Sequence, residues 1–565
     1  MSLRRRHFLR YSLALAGSVY VSTRLTGCAL NRNAPDLGEA SFTHGVASGD
    51  PEATAIILWT RAQSSSLGAP VRIGWELAED SAFTRIVRSG LADAEADRDY
   101  TVKVDVRELE PGRSYFYRFL SADGASPTGR TNTLPEGRVE ELRLAVFSCS
   151  NYPAGYFHAY GEAARRSDLD AFVHLGDYFY EYGAGGYATE RAVELGRDFP
   201  ADNRGEIYTL DDYRRRYAWY RSDADLQALH AAAPMISVWD DHEIANDAWR
   251  EGAENHSEDE GDYEARKAAA LRAYFEWMPL RPLRPDTAGR SYRSFAFGDL
   301  VDLHMLDTRL IGRDQQLAYA SYFDRDSKQL DAAAFTRDIT APDRSLLGEE
   351  QRAWLYAALE TSQARWQVLG QQVLMARMTM PAAMLSRLFA DRDLAATGPL
   401  IEELVTDKMA LAAGEALADE RLQRLRAQLP YNLDAWDGYP AERERLYAVA
   451  RRLDKELVVL AGDTHNAWYS ELRDRSGKRV GLELGTSSVS SPGMESYLSL
   501  GEKEARDLER ALVALIDELQ YCELRSRGYL DVTFTRSTLT PQWHFVDTVT
   551  DKSYSVRSTA RTVRA

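Results

Sequence analysis

"VHLGDYFYEYG", Val173 to Gly183, runs an apolar stretch into a glycine and follows it with an acid and a phenol three residues apart, Asp177 and Tyr180. Phe172 to Leu175 has the length of a buried strand. Gly176 lets the backbone turn tightly behind it, so Asp177 and Tyr180 can reach one point from the same loop. In layered α/β sheets, sites form outside the carboxyl ends of the strands. This stretch has the form of such an edge.

Other strand ends repeat the pattern. "LAVF" ends in Ser148-Cys149-Ser150-Asn151, and "MISVW" in Asp240-Asp241-His242-Glu243 with Asn246 and Asp247 beyond. "LVVLA" ends in Gly462-Asp463-Thr464-His465-Asn466. Carboxylate, amide, imidazole, thiolate and phenolate at four strand ends are what a cluster of hard or borderline cations needs.

From about Glu141 onward, strands alternate with helical stretches. The strand candidates are "LRLAVF", "DAFVHL", "MISVW", "LVDLHML", "WQVLGQQV", "ELVVLAG", "VGLELGT" and "GYLDVTF". Helical patterns lie in "YFHAYGEAARR", "DYEARKAAALRAYFEW", "GEEQRAWLYAALETS" and a long insertion at about 381–428. Strands without strict alternation imply a sheet buried on both faces, hence an α/β fold of layered sheets flanked by helices over residues 141–560. Residues 40–136 read as all-β. Within them "LEPGRSYFYR" places Pro111-Gly112 before Tyr115 and Tyr117, as at the tyrosine corner of immunoglobulin- and fibronectin-like sandwiches. "GRTNTLPEG" has linker composition and closes that N-terminal sandwich. Residues 183–210 read as a surface loop.

Residues 1–33 read as a leader. Arg5-Arg6-His7-Phe8-Leu9 precedes an apolar stretch too short to span a bilayer, the order of a twin-arginine export signal. "LTGC", ending at Cys28, has the form of a lipoprotein box, and cleavage after Ala29 is its rival. The expected location is the periplasm or cell envelope, with a membrane attachment only through a lipid on Cys28. No later apolar run is long enough to cross a membrane. Formal net charge is -17. Removing residues 1–27 takes away five arginines and no acids, which makes it -22. So acidic a chain is a poor nucleic-acid binder, and any anionic substrate must be drawn by a local reversal of field. Bound cations are the obvious device.

Several motifs together resemble the PhoD alkaline phosphatases. They are "FTHGVASGDPEATAIILWTR" (Phe42–Arg61), "GDYFYE" (Gly176–Glu181), "WDDHEIAN" (Trp239–Asn246), "RSLLGEEQRAWL" (Arg344–Leu355), "DAWDGYPAER" (Asp434–Arg443), "GDTHNAW" (Gly462–Trp468) and "SSVSSPG" (Ser487–Gly493). The resemblance runs from about residue 40 to 550. It implies a metallophosphoesterase-type fold related to purple acid phosphatases, and hydrolysis of phosphate monoesters and diesters outside the cytoplasm with ferric iron and calcium. By that resemblance Asp177 bridges metals, Tyr180, Cys149 and His465 complete the iron shell, and Asp463 and Asn246 fall to calcium. Asp241 and His242 join Asp177 as catalytic candidates, with ligand and supporting roles among Asp240, Asp241 and His242 left open. The expected partners are small phosphate esters and the twin-arginine export machinery, with no nucleic-acid surface.

Plainer readings apply elsewhere. His174 and His304 are expected in the core, and Trp239, Trp436 and Trp468 as core or pocket wall. Asp307 and Arg309 suit an ion pair better than a phosphate clamp. Arg214-Arg215-Arg216 is expected on a solvated helix face. Cys522 is expected as a plain buried thiol, unpaired with Cys149. Two alternatives to an alkaline phosphatase are a dedicated phosphodiesterase or phospholipase of the same family, and a non-catalytic, metal-stabilised envelope lipoprotein.

Overall fold

A computed structural model describes residues 20–21, 36–64, 68–281, 290–323, 330–388 and 394–564. The leader motifs and Cys28 lie outside the described residues. All eight expected strands are present: Glu141–Phe147, Ala171–His174, Met235–Ser237, Val301–Met305, Trp366–Gly370, Leu457–Ala461, Arg479–Gly485 and Arg527–Thr535. In Trp366–Gly370 and Leu457–Ala461 every residue is buried, as a sheet covered on both faces requires.

Two sheets stack face to face. An eleven-stranded sheet holds Glu141–Phe147, Ala171–His174 and Met235–Ser237 in parallel, with Arg527–Thr535 antiparallel at one side. A seven-stranded sheet holds Val301–Met305, Trp366–Gly370, Leu457–Ala461 and Arg479–Gly485 in parallel. Between them lie Leu144, Val146, Val173, Leu175 and Ile236 from one sheet, and Leu303, Val368, Val458, Leu460 and Leu482 from the other. Each such side chain contributes about 1.5–3 kcal/mol by leaving water. Helices His158–Ala164, Leu210–Tyr220, Ala224–Ala232 and Tyr263–Trp277 cover the outer face of the larger sheet. Gly348–Thr361, Pro440–Arg452 and Glu502–Leu515 cover the outer face of the smaller one. The insertion forms helices Ala382–Ser386, Leu394–Ala412 and Asp419–Arg426. Its neck is pinned by a ribbon pairing Thr379–Pro381 with Gln428–Pro430.

The N-terminal sandwich shares a sheet with the rest of the chain. Its strands Val46–Glu52, Ala55–Arg61 and Thr101–Arg107 extend the eleven-stranded sheet, joined to it where Gly49 pairs with Met235. A second leaf of five strands, among them Val71–Ala78, Ile86–Ala94 and Ser114–Ser121, packs over them around Ile56, Leu58, Val104, Trp75 and Phe119. The tyrosine corner is formed: the Tyr115 hydroxyl accepts the Glu110 backbone N–H at 3.1 Å.

Two expectations are corrected. Arg216 is buried, not solvated, and donates to the Tyr180 and Tyr182 carbonyls and to Asn203. Arg214 pairs with Glu276 at 2.7 Å, which leaves Arg215 as the exposed member of the three. Residues 183–210 carry no helix or strand until Leu210, yet they are not a loose surface loop. Ala192, Leu195, Phe199 and Ile207 are buried, and Arg197 pairs with Asp223 at 2.8 Å inside the protein. His174 and His304 are buried, bonded to Tyr160 (2.8 Å) and Ser294 (2.7 Å). The three tryptophans are fully enclosed.

Candidate active site

Four carboxyl ends of parallel strands converge, and their loops are backbone-strained. Cys149, Asp177, Asp463 and His465 all adopt left-handed φ, between 53° and 65°. Each costs a non-glycine residue about 1 kcal/mol or more, which the enclosing structure must offset. The loops touch closely. A side chain on Gly176 (φ +106°) would collide with the Asp240 backbone, and one on Gly462 would meet Ser148 at 2.7 Å. Glu243 ties two of them together by accepting the N–H groups of Asp177 (3.1 Å), Tyr178 (2.6 Å) and Asp240 (2.8 Å).

The Tyr180 hydroxyl lies 3.0 Å from His465 Nε2 and 3.2 Å from Asp177 Oδ2, and it accepts from Ser491 Oγ at 2.7 Å. His465 Nδ1 donates to the Pro492 carbonyl at 2.7 Å, which leaves Nε2 as the free lone pair facing this point. Cys149, Asp177 and His465 bring donor atoms within 4.8 Å of one another, and so do Asp177, Asp241 and His242, and Asp240, Asp241 and Asp463. Asp177 thus belongs to one group with the thiol and to another with the second acid. The Asn246 side-chain nitrogen donates to Glu254, 3.1 Å away, and its backbone N–H to Glu181. Cys149 and Cys522 are both buried free thiols.

Burial dominates the electrostatics. It pushes the Cys149 thiol and the Tyr180 phenol well above their ordinary ranges, with Asp177 adding to both. It raises Asp177 and Asp240 in the same direction, and Asp463 to about 7. His465 is lowered to about 3 by burial. For His242 burial works against the charge, but Glu181, Asp241 and Asp177 outweigh it and hold the ring cationic well above its usual range. Its Nδ1 sits 2.6 Å from Glu181 Oε2. Asp241 goes the other way: burial is overcome by Arg309 and His242, which bring it to about 2.

Such a donor set fits cations. Asp177 Oδ1 and Asp240 Oδ2 are buried and have no hydrogen-bond partner. Buried acids, a thiol and a phenol become ionised together only if a positive charge joins them. The Cys149, Tyr180 and His465 side mixes sulfur, oxygen and nitrogen donors, and the other side is all carboxylate.

Some contributors were not assigned a role from sequence. Glu181 orients His242, Glu243 braces the loops, Ser491 supports Tyr180, and Asp434 bonds Arg309 and Arg313. Asp434 and Ser491 stand inside two of the motifs that carried the resemblance, which was the available signal. Tyr187 rests against His465, with ring centroids 6.1 Å apart, and carries a partly exposed stack on to Tyr497.

Comparison with known proteins places the fold in a family. Residues 144–543 match the family model described as PhoD-like phosphatase, and residues 27–135 the model of its N-terminal domain. Alkaline phosphatase D of Bacillus subtilis (strain 168) is 35% identical over 478 residues, covering 81% of this chain and 71% of that protein. A solved structure of PhoD superposes with a TM-score of 0.74 at 30% identity, covering 94% of this chain and 93% of the other.

Proposed function

Because the chain belongs to the PhoD-like phosphatase family, we propose that it is a metal-dependent alkaline phosphatase of phosphate monoesters and diesters, using ferric iron and calcium. One observation carries the metal reading: Cys149, Asp177, Tyr180 and His465 meet at one buried point from three separate loops. Cys149, Asp177, Tyr180 and His465 would hold the ferric ion, and Asp463 and Asn246, with Asp177, Asp240 and Asp241 beside them, the calcium. When bound, the cations supply Lewis-acid charge to the phosphoryl oxygens and bring water toward ionisation near neutral pH.

The chain's own residues do the rest. Ser491 and the carbonyl of Pro492 fix Tyr180 and His465 in orientation. As water attacks phosphorus and the ester P–O bond breaks, charge develops on the leaving oxygen. His242, kept protonated by Glu181, offers a proton from Nε2, since Nδ1 is engaged at 2.6 Å. The Tyr187 hydroxyl lies 3.2 Å from His465 Nδ1 and donates to the Pro492 carbonyl, which helps fix the His465 ring.

The protein is proposed to reach the periplasm or cell envelope through the twin-arginine pathway, with Cys28 as the anchor if the lipobox is used. Among the described residues, no helix is long and apolar enough to cross a membrane. The test is turnover of p-nitrophenyl phosphate, bis-p-nitrophenyl phosphate and a phospholipid by metal-replete protein, before and after chelation. Loss on chelation and recovery on metal return is expected, and the ranking of the three substrates separates phosphatase from phosphodiesterase or phospholipase. Bound metal without turnover of any ester would favour the non-catalytic envelope lipoprotein.

A further inference from the structure

Arg309 is a fully enclosed guanidinium among the site's acids, and shares Asp434 with the equally enclosed Arg313. It leaves the strand Val301–Met305 in the loop Leu306-Asp307-Thr308-Arg309, and none of it is exposed. Nε donates to Asp240 Oδ1, Nη1 to Asp434 Oδ1 at 2.8 Å, and Nη2 to Asp463 Oδ1 at 3.2 Å. Nη2 also lies 3.7 Å from Asp241 Oδ1. The expected Asp307–Arg309 ion pair is absent. Asp307 Oδ1 instead accepts the backbone N–H of Arg309 (2.9 Å) and of Leu310 (2.8 Å), and Gln372 holds Thr308. The loop is therefore built to hold one rigid cation in one place.

Two features set its role. With no exposed surface and acids around the guanidinium, Arg309 has no face to offer a phosphate. Asp240 and Asp463 meet it through one oxygen each, whereas Asp241 is bonded at both oxygens, Oδ1 by the His242 N–H and Oδ2 by the Asp247 N–H. Asp240 gives Oδ1 to Arg309 and leaves buried Oδ2 without a partner, and Asp463 likewise meets Arg309 through Oδ1.

We propose that Arg309 is a positioning residue that presents the free oxygens of Asp240 and Asp463 to a cation and, by its charge, sets that half of the site for a divalent ion. This rests on the metal-dependent reading above. Asp240, Asp241 and Asp463 carry three negative charges when ionised, and Arg309 reduces the sum to two. Asp177, Cys149 and Tyr180 also carry three, and none of their hydrogen bonds comes from an arginine or lysine. Asp177 is common to both halves, so what Arg309 does is lower the charge of the carboxylate half by one, which favours an ion of lower charge there than the acids alone would draw. A lysine could not replace Arg309 fully, because a point ammonium cannot span three carboxylates in one plane.

The test uses Arg309→Met and Arg309→Lys beside the wild type, each verified as folded by circular dichroism and thermal unfolding. Iron and calcium per chain are measured on purified protein, then calcium and terbium(III) titrations on chelator-stripped protein. Arg309→Met is expected to keep iron, to bind calcium at least about tenfold more weakly, and to shift preference toward terbium at least about tenfold. Arg309→Lys is expected to keep the divalent preference and lose calcium affinity alone. It decides the case if Arg309→Met does not fold. Calcium and terbium binding unchanged in a folded Arg309→Met, or unchanged calcium affinity in Arg309→Lys, would overturn the assignment. Equal loss of iron and calcium in a folded variant would do the same, making Arg309 a scaffold residue only. A wild type that binds neither metal would instead defeat the metal-dependent reading itself.

Discussion

Cys149, Tyr180 and His465 meet on one side of Asp177 without an arginine bonded to any of them among the described residues, whereas Asp240, Asp241 and Asp463 meet on the other side around Arg309. One half takes its donors from thiol, phenol and imidazole, the other from carboxylates alone. Both are buried, so low dielectric acts on both alike. What separates them is the protein's own compensation. In the carboxylate half a fixed guanidinium pulls Asp241 down to about 2, although Asp240 stays high under burial. In the other half burial is opposed only by hydrogen bonds to Ser148 and Ser491, and Cys149 and Tyr180 are both pushed up. A pocket with so little compensation favours a bound cation.

The severest way to break the comparison is to remove the residue both halves share. Asp177→Asn should fold, lose at least one metal, and lower turnover by about 10³-fold or more, by analogy with removal of a central electrostatic group. Full metal content with near-normal turnover would separate Asp177 from the site.

Glu181→Gln probes His242, which sits between the halves. Without the partner at 2.6 Å the imidazolium is held less tightly, so turnover should fall by about 10²-fold and the alkaline limb of its pH profile should move to lower pH. The folded pKa of His242 is raised above its unfolded value. The pair therefore contributes stability that is complete below about pH 6.5 and is lost as pH rises through the folded pKa. In metal-free protein, the unfolding difference between wild type and Glu181→Gln should be largest near pH 6.5 and shrink in alkali. A gap independent of pH would leave Glu181 as a packing residue.

A subtler probe is chemical. Cys149 should resist thiol reagents in loaded protein and react after chelation, because a ligand thiolate is shielded by its metal. Mass spectrometry of exported protein showing a Cys149–Cys522 disulfide would remove Cys149 from the iron half. Smallest in effect on the site, Cys28→Ser should shift protein from the membrane to the soluble fraction and leave turnover unaltered. An identical soluble distribution for both forms would end the lipoprotein idea.

Much of the fold was legible because its signals are local. Apolar runs such as "LVVLA" announce strands, Pro111-Gly112 with Tyr115 announces the corner, and donors just past a strand end announce the site edge. What stayed hidden depends on long-range contact. The sheet's passage from sandwich to catalytic region rests on the pairing of Gly49 with Met235, which leaves no periodic trace. Arg216 looked solvated because an arginine satisfied by the Tyr180 and Tyr182 carbonyls has the same sequence pattern as one in water. Arg309 and Asp434 are 125 residues apart, and their bond follows only from the crossing of loops.

The colour of the protein tests the division most directly. A phenolate on ferric iron absorbs visible light by charge transfer from ring to metal. Iron-loaded wild type should show a broad visible band, and Tyr180→Phe, which removes only the oxygen 3.0 Å from His465 Nε2, should weaken or abolish it, lower hydrolysis and leave calcium content in place. A colourless wild type with one ferric ion per chain, or a band unchanged in Tyr180→Phe, would contradict the assignment of the iron half.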